Sequence, residues 1–280
     1  MINQIIKKLF RILVKRNPLD ILLGRLIYGN DASFSKNLEA KLLQNKKYQY
    51  KNESNLEKYG YEKLENIISP ILTENLKKKF HSSISNISEI EKELRYDFTS
   101  MHNPIFFSKF PEIKDIFNSQ IHECLENYYN GHFKVVNVHI YRILKNQNTN
   151  KNDTSSYGST ITWHNDGSRA DNVKVFISLD VIDENSGPME FISREDTKKI
   201  FRNNPFIFNK INLASKIENM ECKKKMTFYE RDAYIINTNT CLHRAQSPNS
   251  GHRDLLVYYC QSSKKPFNYQ WEIESTKNIY

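Results

Sequence analysis

Residues 160–188 read TITWHNDGSRADNVKVFISLDVIDENSGP, and the fold turns on how this stretch is divided. Thr160 to His164 reads as a short strand, because β-branched and aromatic residues favour an extended, half-buried chain. Val173 to Val181 reads as a second strand, ended by the turn-forming run Asp183 to Pro188. The same pattern extends to both sides. Phe133 to Leu144 precedes the stretch, and Met189 to Ile192, Met226 to Tyr229, Ala233 to Asn237, Cys241 to Gln246 and Asp254 to Gln261 follow it. Upstream the period is helical. Ser69 as N-cap and Pro70 at the first helical position open a helix carrying Ile71, Leu72, Leu76 and Phe80. A second helix is expected from Glu112 to Tyr129, with Ile113, Ile116, Phe117, Ile121 and Leu125 on its apolar face. Helices followed by many short strands predict a mainly β sandwich or barrel with helical support.

The chain has 280 residues, 39% hydrophobic and 12% aromatic, enough for a substantial core and too apolar for wholesale disorder. Cys124, Cys222, Cys241 and Cys260 are widely spaced and form no C-x-x-C pair, so neither a disulfide framework nor a zinc ribbon is read from them. Reduced thiols in a cytoplasmic protein are the expectation. The formal charge is +9, and Lys7, Lys8, Arg11, Lys15 and Arg16 interleave with Ile2, Ile5, Ile6, Leu9, Phe10, Leu13 and Val14. At helical spacing this gives an apolar stripe with a basic opposite face. It fits peripheral contact of residues 1–16 with an anionic membrane surface, and equally a helix docked on its own domain or a partner. The basic residues elsewhere are scattered without a recognition motif, so no nucleic acid is expected. Residues 1–57 therefore read as a basic amphipathic segment plus a polar connector (31–57), residues 58–262 as the main domain, and 263–280 as a tail in which Trp271 packs.

His164-Asn165-Asp166 joins with His243 and, ten residues further, Arg253. In a strand, residues i and i+2 share a face, so His164 and Asp166 can point at one metal ion while Asn165 turns away. Two imidazoles and one carboxylate are the ligand set of a non-haem Fe(II) facial triad, which leaves positions open for a co-substrate and O₂. Ser247-Pro248-Asn249-Ser250-Gly251 is a turn signal between His243 and Arg253. A hairpin centred on Pro248 would set those two side chains on one face, about 5 Å apart at their bases. Arg253 would then clamp a carboxylate in two parallel hydrogen bonds. The combination points to an Fe(II)/2-oxoglutarate oxygenase. Two other classes use similar parts: a non-catalytic barrel that binds without turnover, and a zinc hydrolase on the same His/Asp/His set. A zinc hydrolase has no need of Arg253 at that offset.

These stretches resemble the phytanoyl-CoA dioxygenase family of Fe(II)/2-oxoglutarate oxygenases. Trp163-His164-Asn165-Asp166-Gly167 is similar to its W-H-x-D-G motif, and Glu184-Asn185-Ser186-Gly187-Pro188 to its E-N-G-P turn. Arg231-Asp232-Ala233 through Arg253 resembles its G-D strand, distal His, P-N-x-S turn and co-substrate Arg. Lys58 to Pro70 (KYGYEKLENIISP) resembles its opening strand and helix. The resemblance implies a double-stranded β-helix, a jelly-roll barrel backed by N-terminal helices. It implies iron held by His164, Asp166 and His243, and 2-oxoglutarate held by Arg253, with Phe176 beside it; Tyr141 is a further candidate there, with core packing as its alternative role. It further implies hydroxylation of a small-molecule or carrier-linked substrate with release of succinate and CO₂. Asp166 argues against halogenation, because related halogenases carry a small residue there. Two departures stand out. Arg231 replaces the usual glycine of the G-D strand, and Ser193-Arg194-Glu195-Asp196 replaces a P-G-S-H segment expected to border the substrate pocket. Loop 145–158 and segment 193–222 are the expected pocket-lining loops. His81, His102, His122, His132, His139 and His252 join no constellation, and His252 should point away from Arg253.

Overall fold

The computed structural model describes residues 18–29, 34–43, 54–84, 95–100, 106–145, 161–166, 171–206 and 210–267. The expectations placed on residues 1–16, most of loop 145–158 and Trp271 lie outside these residues. Two antiparallel sheets face each other. The larger contains β1 (Tyr61–Leu64), β2 (Arg95–Ser100), β3 (Phe133–Leu144), β4 (Val173–Ser178), β7 (Ala233–Ile236) and β9 (His252–Ser262), in the spatial order β1-β7-β4-β9-β3-β2. The smaller contains β5 (Glu190–Ile192), β6 (Lys223–Lys225) and β8 (His243–Arg244), in the order β6-β5-β8. This is the jelly-roll barrel of a double-stranded β-helix, with helices packed outside it.

Period-two alternation sorts the side chains of the large sheet into two cores. On β9, Leu256, Tyr258 and Cys260 face outward with Val138, Ile140, Val175, Ile177 and Ile235. They pack against helix α4 (Pro70–Ile84), the short helices α5 (Phe106–Lys109) and α6 (Glu112–Ile116), and α7 (Ser119–Tyr129). Tyr258 is fully buried there, and its hydroxyl donates to the Ile113 carbonyl at 2.6 Å. Leu255, Val257, Tyr141, Phe176, Tyr234 and Ile236 face inward, between the sheets. Burial on both faces explains why these strands read as nearly continuous apolar runs. A third core lies outside the small sheet, where Trp163, Ile192 and Leu242 meet Ile200, Phe201, Leu213 and Ile217 of α8 (Arg194–Asn203) and α9 (Lys210–Glu218).

Several local expectations need correction. The expected helix from Glu112 to Tyr129 is two helices. Asn118 interrupts it, because its side chain accepts from the Gln120 and Ile121 amides and caps a new helix start. The stretch 31–57, read as a poorly packed connector, contains helix α2 (Phe34–Leu43) and the start of α3 (Asn55–Tyr59). Just before it, the π-helical turn Gly24–Tyr28, which follows the helical segment Pro18–Leu23 (α1), packs on α8. Arg25 is buried, its guanidinium 4.8 Å above the Phe201 ring. His164 sits on an isolated bridge to His243, and the expected strand Cys241–Gln246 shrinks to His243–Arg244. The hairpin around Pro248 does not form. β8 pairs with β5 in the small sheet, and β9 pairs with β3 and β4 in the large one, so the chain crosses between sheets as an arch. Among the described residues no helix is long and apolar enough to cross a membrane.

The arch rests on the turn before β5. Gly187 adopts φ +67, and a Cβ there would lie 2.5 Å from the Ser247 carbonyl carbon and 2.6 Å from the Pro248 nitrogen. The Asn249 amide donates to the Asn185 carbonyl at 2.9 Å, tying the two segments together. Gly187→Ala therefore combines left-handed strain with a backbone clash, and we expect a loss of at least about 2 kcal/mol in urea unfolding. A change below about 0.5 kcal/mol, the size of an ordinary surface substitution, would show that the arch does not press on this turn.

Candidate functional site

His164 and His243 meet through a reciprocal backbone pair: the His164 amide donates to the His243 carbonyl at 3.0 Å, and the His243 amide donates back at 2.9 Å. Their rings lie side by side, with centroids 4.4 Å apart. Each Nδ1 faces a backbone carbonyl two residues earlier, Thr162 at 2.7 Å for His164 and Cys241 at 3.1 Å for His243. A carbonyl only accepts, so each Nδ1 must carry the proton and each Nε2 keeps its lone pair. Both lone pairs belong to atoms that approach Asp166 Oδ1, at 3.8 Å for His164 and 3.7 Å for His243. The three ligand atoms lie within 4.8 Å of one another, close enough for one ion to bond all of them at about 2 Å.

Asp166 is held from behind. Its amide donates to the Thr238 carbonyl at 3.0 Å, and the Thr238 hydroxyl donates to Oδ2. The Lys174 ammonium reaches the same oxygen at 2.5 Å. With Oδ2 taken, Oδ1 alone faces the histidines, which presets one-oxygen coordination of a metal. Burial raises the carboxyl pKa, but the Lys174 charge and the hydrogen bonds from Lys174 and Thr238 outweigh it and hold Asp166 well below the usual carboxylate range. Burial would make Lys174 give up its proton more readily, yet the Asp166 charge keeps it protonated far into alkaline pH. His243 is pushed down to about 3, chiefly by burial, with His164 and Lys174 adding to the effect against Asp166. Its imidazole is therefore neutral, as a metal ligand must be.

These side chains line a cavity of about 170 Å³ between the two sheets. Arg253, only 2% exposed, lines the same cavity, so the arch brings it to the space faced by His243 without a hairpin. Phe176 and Tyr141 also line it, beside Leu255 and Tyr259. Ile182, Met189, Met226 and Phe228 contribute an apolar wall. Within the described part of 193–222 no residue lines the cavity. Ser193 instead caps α8 by accepting from the Asp196 amide, so Ser193–Asp196 begins a helix and does not border the pocket. Cys241 is fully buried with its Sγ toward the Gly60 carbonyl, and burial pushes its thiol up to about 12, as expected of a packed core cysteine. His252 turns away from Arg253, toward Asp254. Lys174, Tyr259 and Thr238 went unread in the sequence. Lys174 had a usable signal, because it alternates with Phe176 and shares its face; Thr238 had none.

No protein-family model matches the sequence, and no curated protein does. Solved structures of similar fold do exist. HygX from Streptomyces hygroscopicus, with nickel and 2-oxoglutarate bound, superposes with a TM-score of 0.52 at 11% identity, over 75% of this chain and 86% of that one. EctD from S. alaskensis, with 2-oxoglutarate and 5-hydroxyectoine, superposes with a TM-score of 0.52 at 11% identity, over 81% of this chain and 86% of that one. These chains share the fold of the present one.

The Lys174–Asp166 pair makes a measurable claim. Removing either charge leaves the other buried without its counterion, which costs about 3–5 kcal/mol. In chelator-treated protein, Lys174→Met and Asp166→Asn should each lower stability, while the double variant loses clearly less than the sum. The coupling from a urea-unfolding cycle is expected to be at least about 1 kcal/mol. Additive losses would mean that the two groups do not pair.

Proposed function

We propose that this protein is an Fe(II)- and 2-oxoglutarate-dependent oxygenase that hydroxylates a small-molecule or carrier-linked substrate. One observation carries the reading: a single cavity is lined both by two metal-ready imidazoles with a one-oxygen carboxylate and by a buried guanidinium. The donor set fits Fe(II), since two neutral nitrogens and one anionic oxygen leave coordination positions free. When bound, iron and 2-oxoglutarate supply the activation of O₂, and the co-substrate leaves as succinate and CO₂.

The protein's own residues do the positioning. The Thr162 and Cys241 carbonyls fix the tautomer and ring orientation of both histidines, a role that tunes affinity in metal sites. Lys174 and Thr238 hold Asp166 so that Oδ1 alone is presented. Arg253 offers a planar fork to the far carboxylate of the co-substrate, and Phe176 and Tyr141 flank it. Leaving the two imidazoles aside, the side-chain charges facing the cavity are Asp166 against Lys174 and Arg253, an excess of one positive charge before any metal adds to it. Such a cavity attracts a dianion. Ile182, Met189, Met226 and Phe228 keep water away and offer the substrate an apolar surface that flexible methionines can adapt. The fold shared with HygX and EctD supports the same reading.

Anaerobic titration of the protein with Fe(II) and 2-oxoglutarate should produce the visible metal-to-ligand charge-transfer band of a chelated 2-oxo acid. His164→Ala should abolish the band. Arg253→Ala should keep it but weaken 2-oxoglutarate affinity by at least about 30-fold, the loss expected when a buried charge pair is cut. Arg253→Lys should recover only part, because the charge returns without the fork. Succinate release on admitting O₂ distinguishes an oxygenase from a barrel that only binds. Absence of the band in the wild-type protein would overturn the reading.

A further inference from the structure

β9 has two faces, and only one belongs to the cavity. Arg253 and Leu255 point in, while His252 and Asp254 point out toward α4. There His81 of α4, Asp180 just after β4, His252 and Asp254 each bring one ligand atom within 4.8 Å of the others. His81 Nε2 lies 2.9 Å from Asp254 Oδ2, and His252 Nε2 lies 3.5 Å from the same oxygen. The two rings stand edge to face, 5.7 Å between centroids. Asp254 is fully buried and already neutralised, since Arg142 donates to both of its oxygens at 2.8 and 2.7 Å. The charge of Asp254 therefore does not call for two further imidazoles on one oxygen, and a shared ion between them does account for that convergence.

We propose that His81, His252, Asp180 and Asp254 form a zinc site, separate from the His164/Asp166/His243 cluster, that pins α4 to the back of β9. Two nitrogens and two carboxylate oxygens make a four-ligand set suited to tetrahedral Zn²⁺. Bonds of about 2.0–2.1 Å put tetrahedral ligands about 3.3 Å apart, and the two measured separations bracket that value. A carboxylate has about four acceptor positions, so Asp254 can keep Arg142 and still offer Oδ2 to a metal. The ion takes the place of the hydrogen now shared by His81 and Asp254. Asp180 must exchange its Lys77 partner, 2.6 Å away, and the lysine side chain is 27% exposed and free to turn to water. Because His252 and Asp254 flank Arg253, zinc here would steady the strand that carries the cavity's guanidinium.

This site does not depend on the oxygenase reading and is tested without it. In the full chain, His164→Ala/His243→Ala removes the other cluster. Calorimetric titration of that variant with Zn²⁺ should show one equivalent bound with micromolar or tighter affinity, and Co²⁺ in its place should give the intense visible bands of a tetrahedral site. Adding His81→Ala or, separately, His252→Gln should weaken zinc binding at least about 100-fold, with circular dichroism verifying the fold of each. Two variants are needed because His81 also packs at the foot of α4, and a loss of folding there leaves His252→Gln to decide. Failure of the His164→Ala/His243→Ala protein to bind zinc, or binding unchanged by His252→Gln, would overturn the proposal.

Discussion

The reciprocal backbone hydrogen bonds between His164 and His243 are the constraint on which the site depends. They join two chain segments far apart in sequence, and they fix the separation of two imidazoles without spending any side-chain polar group on the task. Each ring is then free to bond a carbonyl of its own chain through Nδ1 and to leave Nε2 toward the cavity. The Asp166 amide repeats the device one step on, by bonding the Thr238 carbonyl. Three functional groups are thus located by main-chain geometry, which is stiffer than any side-chain contact.

A second consequence follows from the sheet behind them. The large sheet is apolar on both faces because helices cover one side and the small sheet covers the other. Any charged residue on its inner face is therefore costly unless another charge accompanies it. Lys174 answers Asp166 directly. Arg253 opens on the same cavity, which leaves the interior inclined toward anions. On the outer face, Arg142 and the two histidines gather around Asp254 in the same manner. Alternation along one strand therefore builds two polar clusters back to back, with Arg253 belonging to one and its neighbours to the other.

Some positions show why a pattern can be right and its local reason still hidden. Arg231, which stands where the motif it resembles has a glycine, has φ +78, the left-handed backbone that glycine adopts at no cost. Its carbonyl accepts from the Ile67 and Ile68 amides, and its Nε donates to the Ile68 carbonyl. The side chain thus helps hold a conformation that an arginine does not prefer. Lys174 shows the reverse. Its place beside Phe176 on one strand face was readable, but a lysine in an apolar run looks like a solvated edge until the position of Asp166 is known.

Local periodicity by itself determined the helix that starts at Pro70, the strand Phe133–Leu144 and the mainly β character of the second half, because those depend on neighbours within a few residues. The sequence motifs also singled out His164, Asp166, His243 and Arg253, which line one cavity. Tertiary structure decided how they meet. The run after His243 has the turn residues of a hairpin, yet β8 and β9 join opposite sheets, since each is an inner wall of the barrel and finds its partners in strands remote in sequence. The second cluster, with His81 on a helix and His252 on a strand, was likewise invisible along the chain. Its members are brought together by the packing of α4 on the large sheet, and no spacing within the sequence records that distance.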